Sequence, residues 1–401
     1  MIFATVRSAI ARAVIAGIAL LAVVVWSPVP RVTGASPDDL ACDQEPGSRY
    51  YWLERAFCDL PSYGPERAHG LIIWNHGISG TTQSWKAPAP PVLRLQQFRG
   101  WDVIMLKRHH LAETMAGGPL YRTAQRTLQE AAARRKQGYK KIVLAGQSFG
   151  GYVSLEAADS TDDIDAVVAL APGVRFADAS SSLDPSITDR ILKRVKVGRL
   201  MLLFPKDDSL FGNVVRGEGA QAILSRRSLP YLLLDETSGI SGHGGGHTGR
   251  FALRYGLCLS SFLSEPSPPA GRYSCAAVND EWLVVRDLLV PPAERPTFAA
   301  AGALPEAVRS LVGPQWAVLE DTVVLVAPVG DGPERFRLMY RSTGFRGGVF
   351  DAAIKDGAIQ AVLSNKSTVT LSPEGDGTIT WRSSDGSRSL KATLIKGRAE
   401  P

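Results

Sequence analysis

The stretch Lys141-Ile-Val-Leu-Ala-Gly-Gln-Ser-Phe-Gly-Gly-Tyr-Val-Ser-Leu-Glu-Ala-Ala158 decides how the rest of the chain is read. An apolar run of strand length passes through Gly146-Gln-Ser-Phe-Gly150 into a segment compatible with a helix. Strand, Gly-x-Ser-x-Gly and helix together make a nucleophile elbow, a cramped turn that lifts a serine above the end of a parallel sheet. Ser148 is therefore the candidate nucleophile. Gly146 and Gly150 have a steric reason, because the turn brings strand and helix so close that side chains there would collide with them. Gly151 extends the small-residue surface. A serine in a glycine-rich loop is the bland alternative, and only the flanking segments argue against it.

Working outward, Gly70-Leu-Ile-Ile-Trp-Asn75, Trp101-Asp-Val-Ile-Met-Leu106, Ile164 to Ala171, Arg199-Leu-Met-Leu-Leu-Phe204 and Tyr231-Leu-Leu-Leu234 are further apolar runs of strand length. Continuous apolar runs suit strands buried on both faces. Helix-compatible or irregular segments separate them, including one from Leu120 to Lys136. This alternation predicts an α/β fold with a mostly parallel sheet covered on both faces, whose functional groups gather beyond the carboxyl ends of the strands.

At 401 residues, with 45% hydrophobic and 21% charged residues, the chain has enough core-forming material for one full α/β domain and a smaller unit. The formal charge of +6 is thinly spread. Its one dense run, Arg134-Arg135-Lys136 through Lys140-Lys141, falls at a helix end, where cations suit the dipole, so a solvated helix terminus is preferred to a nucleic-acid surface. The amino end carries Arg7 and Arg12, an uncharged stretch from Ala13 to Trp26, and small residues near Thr33-Gly-Ala35. This reads as a signal peptide over 1–35, hence export to the periplasm or medium, with an uncleaved membrane anchor as the alternative. The four cysteines form two local pairs, Cys42 with Cys58 and Cys258 with Cys275, and an exported chain favours two short-loop disulfides over four buried thiols.

The order of these segments from about Gly70 to Leu263 resembles the α/β-hydrolase superfamily, with a look of exported bacterial esterases and dienelactone-hydrolase-like members. That resemblance implies a triad in the order Ser, acid, His. It puts the acid in Lys206-Asp207-Asp208, with Asp208 favoured and Asp207 as the alternative. It puts the histidine in Ser241-Gly-His243-Gly-Gly-Gly-His247, with His243 favoured and His247 as the alternative. It also implies an oxyanion hole built from the backbone N–H of Phe149 and that of Ile78, in the loop His76-Gly77-Ile78, with His76 structural. His109 and His110 read as exposed loop residues or a pocket wall. Two histidines four apart also invite a metal reading, but the three glycines between them lack the glutamate of a zinc helix. No metal, nucleotide or flavin cofactor is called for.

After Cys275 the alternation stops, and a Pro-rich stretch around Val290 to Pro296 reads as a linker over 277–302. A short helix is plausible over Leu304 to Leu311. Beyond it, Phe336 to Tyr340, Ala358 to Val362, Thr378 to Trp381 and Leu390 to Leu394 have period-two patterning, punctuated by Gly330-Asp-Gly332, Asp356-Gly357, Gly375-Asp-Gly377 and Asp385-Gly386. Asp-Gly between alternating runs marks hairpins. Residues 303–401 are expected to form a small antiparallel β-meander or barrel, similar to lipocalin-like accessory modules, with Trp316 and Trp381 in its core or on a binding face. Residues 36–276 would be the hydrolase domain. The functional expectation is an exported serine hydrolase acting on a small-molecule acyl substrate, most simply a carboxylic ester. The same residues would also serve a peptidase or acyltransferase, and a non-catalytic binding protein on a degenerate hydrolase domain is the competing class.

Overall fold

The computed structural model describes residues 37–78, 83–114, 118–174, 185–212, 214–268 and 270–272, Val284, and, toward the carboxyl end, 315–319, 322–328, 335–341, 347–363, 366–374, 378–384 and 389–396. The expected signal or anchor segment, the linker apart from Val284, the short helix at 304–311 and Cys275 lie outside these residues. Among the described residues no helix is long and apolar enough to cross a membrane.

The first half builds an eight-stranded sheet. Its strands are β1 (Tyr51–Arg55), β2 (Leu71–Asn75), β3 (Asp102–Arg108), β4 (Ile142–Gln147), β5 (Ala166–Leu170), β6 (Arg199–Leu203), β7 (Tyr231–Leu234) and β8 (Gly271–Arg272). They are ordered β1-β3-β2-β4-β5-β6-β7-β8. Only β1 runs antiparallel, against β3. The helices are α1 (Pro91–Phe98), α2 (His110–Thr114), α3 (Pro119–Lys136), α4 (Phe149–Asp159), α5 (Pro185–Arg194), α6 (Val214–Leu224) and α7 (Gly249–Ser264). This is the α/β-hydrolase fold. All residues of β2, β3 and β5 are buried, which is why residues 71–74, 103–106 and 166–170 read as continuous apolar runs and not as alternating ones.

The sheet divides the core into two layers. One face packs Ile72, Trp74 and Val143 with Phe251, Leu259 and Phe262 of α7; the other packs Ile73, Leu144 and Val167 with Leu155 of α4 and Ile191 of α5. Fully burying one such large side chain stabilises by about 1.5–3 kcal/mol, so helices with several of them are held mainly by packing. Val284 is buried in the same cluster as α7, so the chain beyond 276 still contributes to this core. The basic run at the end of α3 is less solvated than expected. Arg134 is buried, and Arg135 pairs with Asp165 at 2.6 Å. His110 belongs to the short helix α2 and not to a loop. Cys42 and Cys58 are disulfide-bonded, and so is Cys258.

The carboxyl-terminal part is a closed antiparallel barrel of eight strands: β9 (Gln315–Leu319), β10 (Thr322–Pro328), β11 (Arg335–Arg341), β12 (Gly347–Lys355), β13 (Ala358–Val362), β14 (Thr368–Pro373), β15 (Thr378–Ser383) and β16 (Ser389–Lys396). Each strand pairs with the next, and β9 closes the ring against β16. Closure leaves no unpaired edge. Alternate residues point inward, so Ile359, Ala361, Val369, Leu371, Ile379 and Trp381 are buried while Val362 is exposed. The hairpin between β12 and β13 turns on Asp356 and Gly357, both at positive φ, the turn that Asp-Gly favours.

One constraint sets the position of everything at the carboxyl edge of the first sheet. A Cβ on Gly150 would lie closer than 3.0 Å to backbone atoms of Asn75 and His76, and one on Gly146 would meet the backbone of Gly150 and Gly151. Helix α4 can approach β2 and β4 only without side chains there. Gly150→Ala is expected to destabilise by about 3 kcal/mol or more, since only backbone movement relieves the clash. Thermal unfolding followed by circular dichroism checks this, with Gly212→Ala unsuitable as a control because its φ is positive and Ala157→Gly a fairer helix comparison.

Candidate active site

The chain steps from β2 to β3 on one side and then to β4 on the other, so the switch point of the sheet lies between β2 and β4, where an open parallel sheet gathers its ligands. Two loops meet there. Residues 76–78 follow β2, and Ser148 follows β4 at φ 55° and ψ −124°, a strained conformation for a residue with a side chain. Three bonds hold it: the Ser148 N–H donates to the Leu170 carbonyl at 2.9 Å, and the Ser148 carbonyl accepts from the N–H groups of Tyr152 and Gly173. Behind the turn, Thr127 donates to Asn75, Asn75 to Ser154, and Ser154 to the Gly150 carbonyl, a polar chain that locks β2 to α4.

The acid and histidine loops are zipped together. Lys206 N–H donates to the Ile240 carbonyl at 2.7 Å and Gly242 N–H to the Lys206 carbonyl at 2.6 Å. This pairing sets Asp208 opposite His243. Nδ1 of His243 lies 3.0 Å from Oδ2 and 3.2 Å from Oδ1 of Asp208, whose side chain is fully buried. Asp208 also accepts from the N–H groups of Leu210 and Phe211. Burial by itself would raise the Asp208 pKa. The hydrogen bond and charge of His243 and the two backbone donors outweigh it, so the carboxyl sits below its ordinary value and stays ionised. With Nδ1 engaged as donor, Nε2 of His243 is left to face other groups.

The other sequence candidates have different places. Asp207, at φ 57°, accepts from the Ser241 hydroxyl at 3.2 Å on the exposed side and has no bond to either histidine among the described residues. His247 lies in a short 3-10 turn before α7, its ring 5.4 Å from that of Trp74. Its Nε2 is buried without a hydrogen-bond partner among the described residues. Burial, helped by the nearby His243, pushes its pKa down to about 4, so it is a neutral core imidazole. The arrangement brings Asp208 and His243 together and leaves Asp207 and His247 out. His76 is buried, and its Nε2 accepts from the Arg108 N–H at 3.1 Å. Burial first, then the charges of Arg108 and Lys107, keep it neutral. Its Nδ1 therefore donates to the Gly77 carbonyl at 2.7 Å.

Gly77 is the second close approach. A Cβ there would lie 3.3 Å from that of Ser148 and 3.2 Å from the Gln147 carbonyl, so the loop carrying Ile78 lies directly beside the elbow. Phe149 opens α4 as its first residue, with its N–H at the free amino end of the helix.

Several contributors carry no signature in the sequence. Gln147 donates through Nε2 to the His243 carbonyl at 3.1 Å, tying the elbow to the histidine loop. The Phe211 ring lies 5.3 Å from the His243 ring. Buried Arg216 lies over the rings of Phe204 and Phe211 and donates to the Pro172 carbonyl. These residues read as ordinary polar or apolar positions until the loops are brought together. Arg108 has one legible signal, its place at the carboxyl end of a buried strand, next to His109 and His110. Among the described residues no cluster of three or more His, Cys, Asp or Glu side chains fits a metal ion.

No family model and no curated protein matches the chain. Solved structures with a similar arrangement include a puromycin-hydrolysing peptidase of Mycobacterium tuberculosis, 16% identical over 56% of this chain and 39% of its own, with a TM-score of 0.38. An esterase of Pyrococcus furiosus is 15% identical over 49% of this chain and 83% of its own, TM-score 0.37. A lipase-esterase related protein of Clostridium acetobutylicum is 14% identical over 53% and 99%, TM-score 0.37. The fold assignment rests on the strand order of this chain itself.

The buried neutral His247 has a consequence for pH. The unfolded chain takes up its proton near pH 6.5 and the folded one only near pH 4, so its contribution is intact above 6.5 and is lost as the pH falls through that window. Between the two values this amounts to about 3 kcal/mol. Urea unfolding at pH 7 and pH 4.5 is expected to give a markedly smaller pH dependence for His247→Phe than for the wild type.

Proposed function

We propose that this protein is a serine hydrolase that cleaves a carboxylic ester through an acyl-enzyme. The observation that carries the proposal is the His243 to Asp208 pair, held on a loop tied to the residue preceding Ser148. Asp208 fixes the Nδ1–H tautomer of His243 and stabilises the imidazolium that forms. Nε2 then takes the Ser148 proton as Oγ bonds to the acyl carbon. Charge moves onto the acyl oxygen, where the N–H groups of Ile78 and Phe149 receive it. Collapse breaks the bond to the alcohol, which leaves with the proton from Nε2. Water, deprotonated by the same nitrogen, attacks the acyl-enzyme and releases the acid and Ser148.

Two exposed apolar side chains, Ile78 and Leu210, stand on the two loops that flank the site, which suits an apolar acyl chain. The Cys42–Cys58 disulfide supports an exported protein, in keeping with the signal-like amino end.

A fluorophosphonate probe is expected to add to Ser148 in the wild type and not in Ser148→Ala, as read by mass spectrometry of the labelled peptide. With p-nitrophenyl esters of graded chain length, Asp208→Asn is expected to lower kcat by about 10⁴-fold through the wrong histidine tautomer, while Asp207→Asn stays near wild type. A folded protein that forms no adduct and turns over no ester would favour the binding-protein reading. Turnover of peptide amides above esters would favour a peptidase.

A further inference from the structure

Arg108 is buried completely, at the end of β3, with its cation within reach of both halves of the oxyanion hole. Nη2 donates to the His76 carbonyl at 2.7 Å and to the Gly77 carbonyl at 3.2 Å. The guanidinium carbon lies over the Phe149 ring, 4.8 Å from its centroid. On the opposite side, Nε donates to Glu113 Oε1 at 3.0 Å, and Ser84 donates to Glu113 Oε2 at 3.1 Å. An arginine taken out of water is costly unless a carboxylate meets it, and here α2 supplies one from five residues onward.

The peptide that Arg108 touches has a particular chemistry. The Gly77 carbonyl and the Ile78 N–H belong to one amide unit, so a donor on that oxygen draws electron density from the nitrogen and makes the N–H a stronger donor. Two donors converge on it, His76 Nδ1 at 2.7 Å and Arg108 Nη2 at 3.2 Å, the second carrying a full charge. The low dielectric around these buried groups strengthens the polarisation. Meanwhile the Phe149 ring, whose own N–H is the other half of the hole, rests against the same guanidinium.

We infer that Arg108, held by Glu113, is a positioning residue that polarises the Gly77–Ile78 amide and fixes Phe149, so that both backbone donors meet the charge that develops on the acyl oxygen. This rests on the serine-hydrolase reading above. It differs from simple loop support in what it demands: the help is given to the transition state and not to the bound ester, so loss of Arg108 falls on kcat.

The test uses the full chain as wild type, Arg108→Met, Arg108→Lys and Glu113→Gln. It measures kcat and KM with p-nitrophenyl acetate, inhibition by an aryl trifluoromethyl ketone, which adds to the serine as a tetrahedral oxyanion, and the melting temperature. Removing an oxyanion donor outright costs about a hundredfold to a thousandfold, and weakening one should cost less. Arg108→Met is expected to lose about thirtyfold in kcat with KM within about threefold, to bind the ketone about thirtyfold more weakly, and to regain part of its rate with added guanidinium; Arg108→Lys should lose less. A folded Arg108→Met with wild-type kcat, a loss confined to KM, or a fall in kcat with full ketone affinity would each overturn the inference. Should Arg108→Met not fold, Glu113→Gln carries the test: kcat and ketone affinity falling together support it, and unchanged values overturn it. Fluorophosphonate labelling of the wild type separates the two levels. If Ser148 is labelled while Arg108 variants behave as wild type, this inference alone fails; if the wild type neither labels nor turns over ester, the hydrolase reading fails and takes this one with it.

Discussion

Helix α4 meets the ends of β2 and β4 backbone to backbone, and the rest of the site depends on that approach. With no side chains at Gly146 and Gly150, the helix closes on Asn75 and His76 until the turn between them is forced into the positive-φ conformation of Ser148. Such a conformation persists only where its surroundings over-determine it. The backbone bonds to Leu170, Tyr152 and Gly173 and the Thr127, Asn75, Ser154 chain supply that determination. The same closeness puts Gly77 against Ser148, so the elbow serine and the loop after β2 share one cause.

The second organising feature is the way buried charge is handled around this point. Asp208, Arg108 and Arg216 are all buried within the same carboxyl edge of the sheet, and each is matched differently. Asp208 has His243 and two N–H donors, which leave it ionised despite burial. Arg108 has Glu113 and two carbonyls. Arg216 has carbonyl and hydroxyl acceptors and two aromatic faces, and burial pushes its pKa down to about 10 even with Asp208 in its field. Burial on this scale is expensive in a merely structural region, since apolar replacements there are often as stable. Buried, perturbed groups gathered at the open end of a parallel sheet make this edge the candidate site. The histidines divide along the same line: His243 keeps partial exposure and an acid partner, while His247 packs neutral against Trp74 and neutral His76 is hydrogen-bonded to backbone on both ring nitrogens.

Much of this was legible in order along the chain. The five apolar runs and the elbow strand correspond to β2 through β7, because a strand buried on both faces has an apolar middle, polar groups falling at its ends. Strands β1 and β8 carry weak patterning because both are short and β1 is only half buried. In β1 only alternate residues are buried, and Glu54 and Arg55 break the apolar signal. The legible barrel strands β11, β13, β15 and β16 each follow an Asp-Gly turn, whereas β9, β10, β12 and β14 do not. The two dense histidine and aspartate clusters could be narrowed but not resolved from spacing, since Asp207 and Asp208 point to opposite sides of one turn.

The amino-acid sequence by itself determined the alternation of strands and helices, the elbow with its steric demand for glycine, and the order in which nucleophile, acid and histidine candidates occur, because these follow from local propensity and backbone geometry. Which aspartate meets which imidazole, that Gln147 reaches the histidine loop, and that Arg108 lies between His76, Gly77 and Phe149 were decided only by the tertiary structure. Those contacts join residues up to 96 positions apart. Their distances are set by the packing of the sheet and by the pairing of Lys206 with Ser241, and no local pattern encodes where two distant loops will meet.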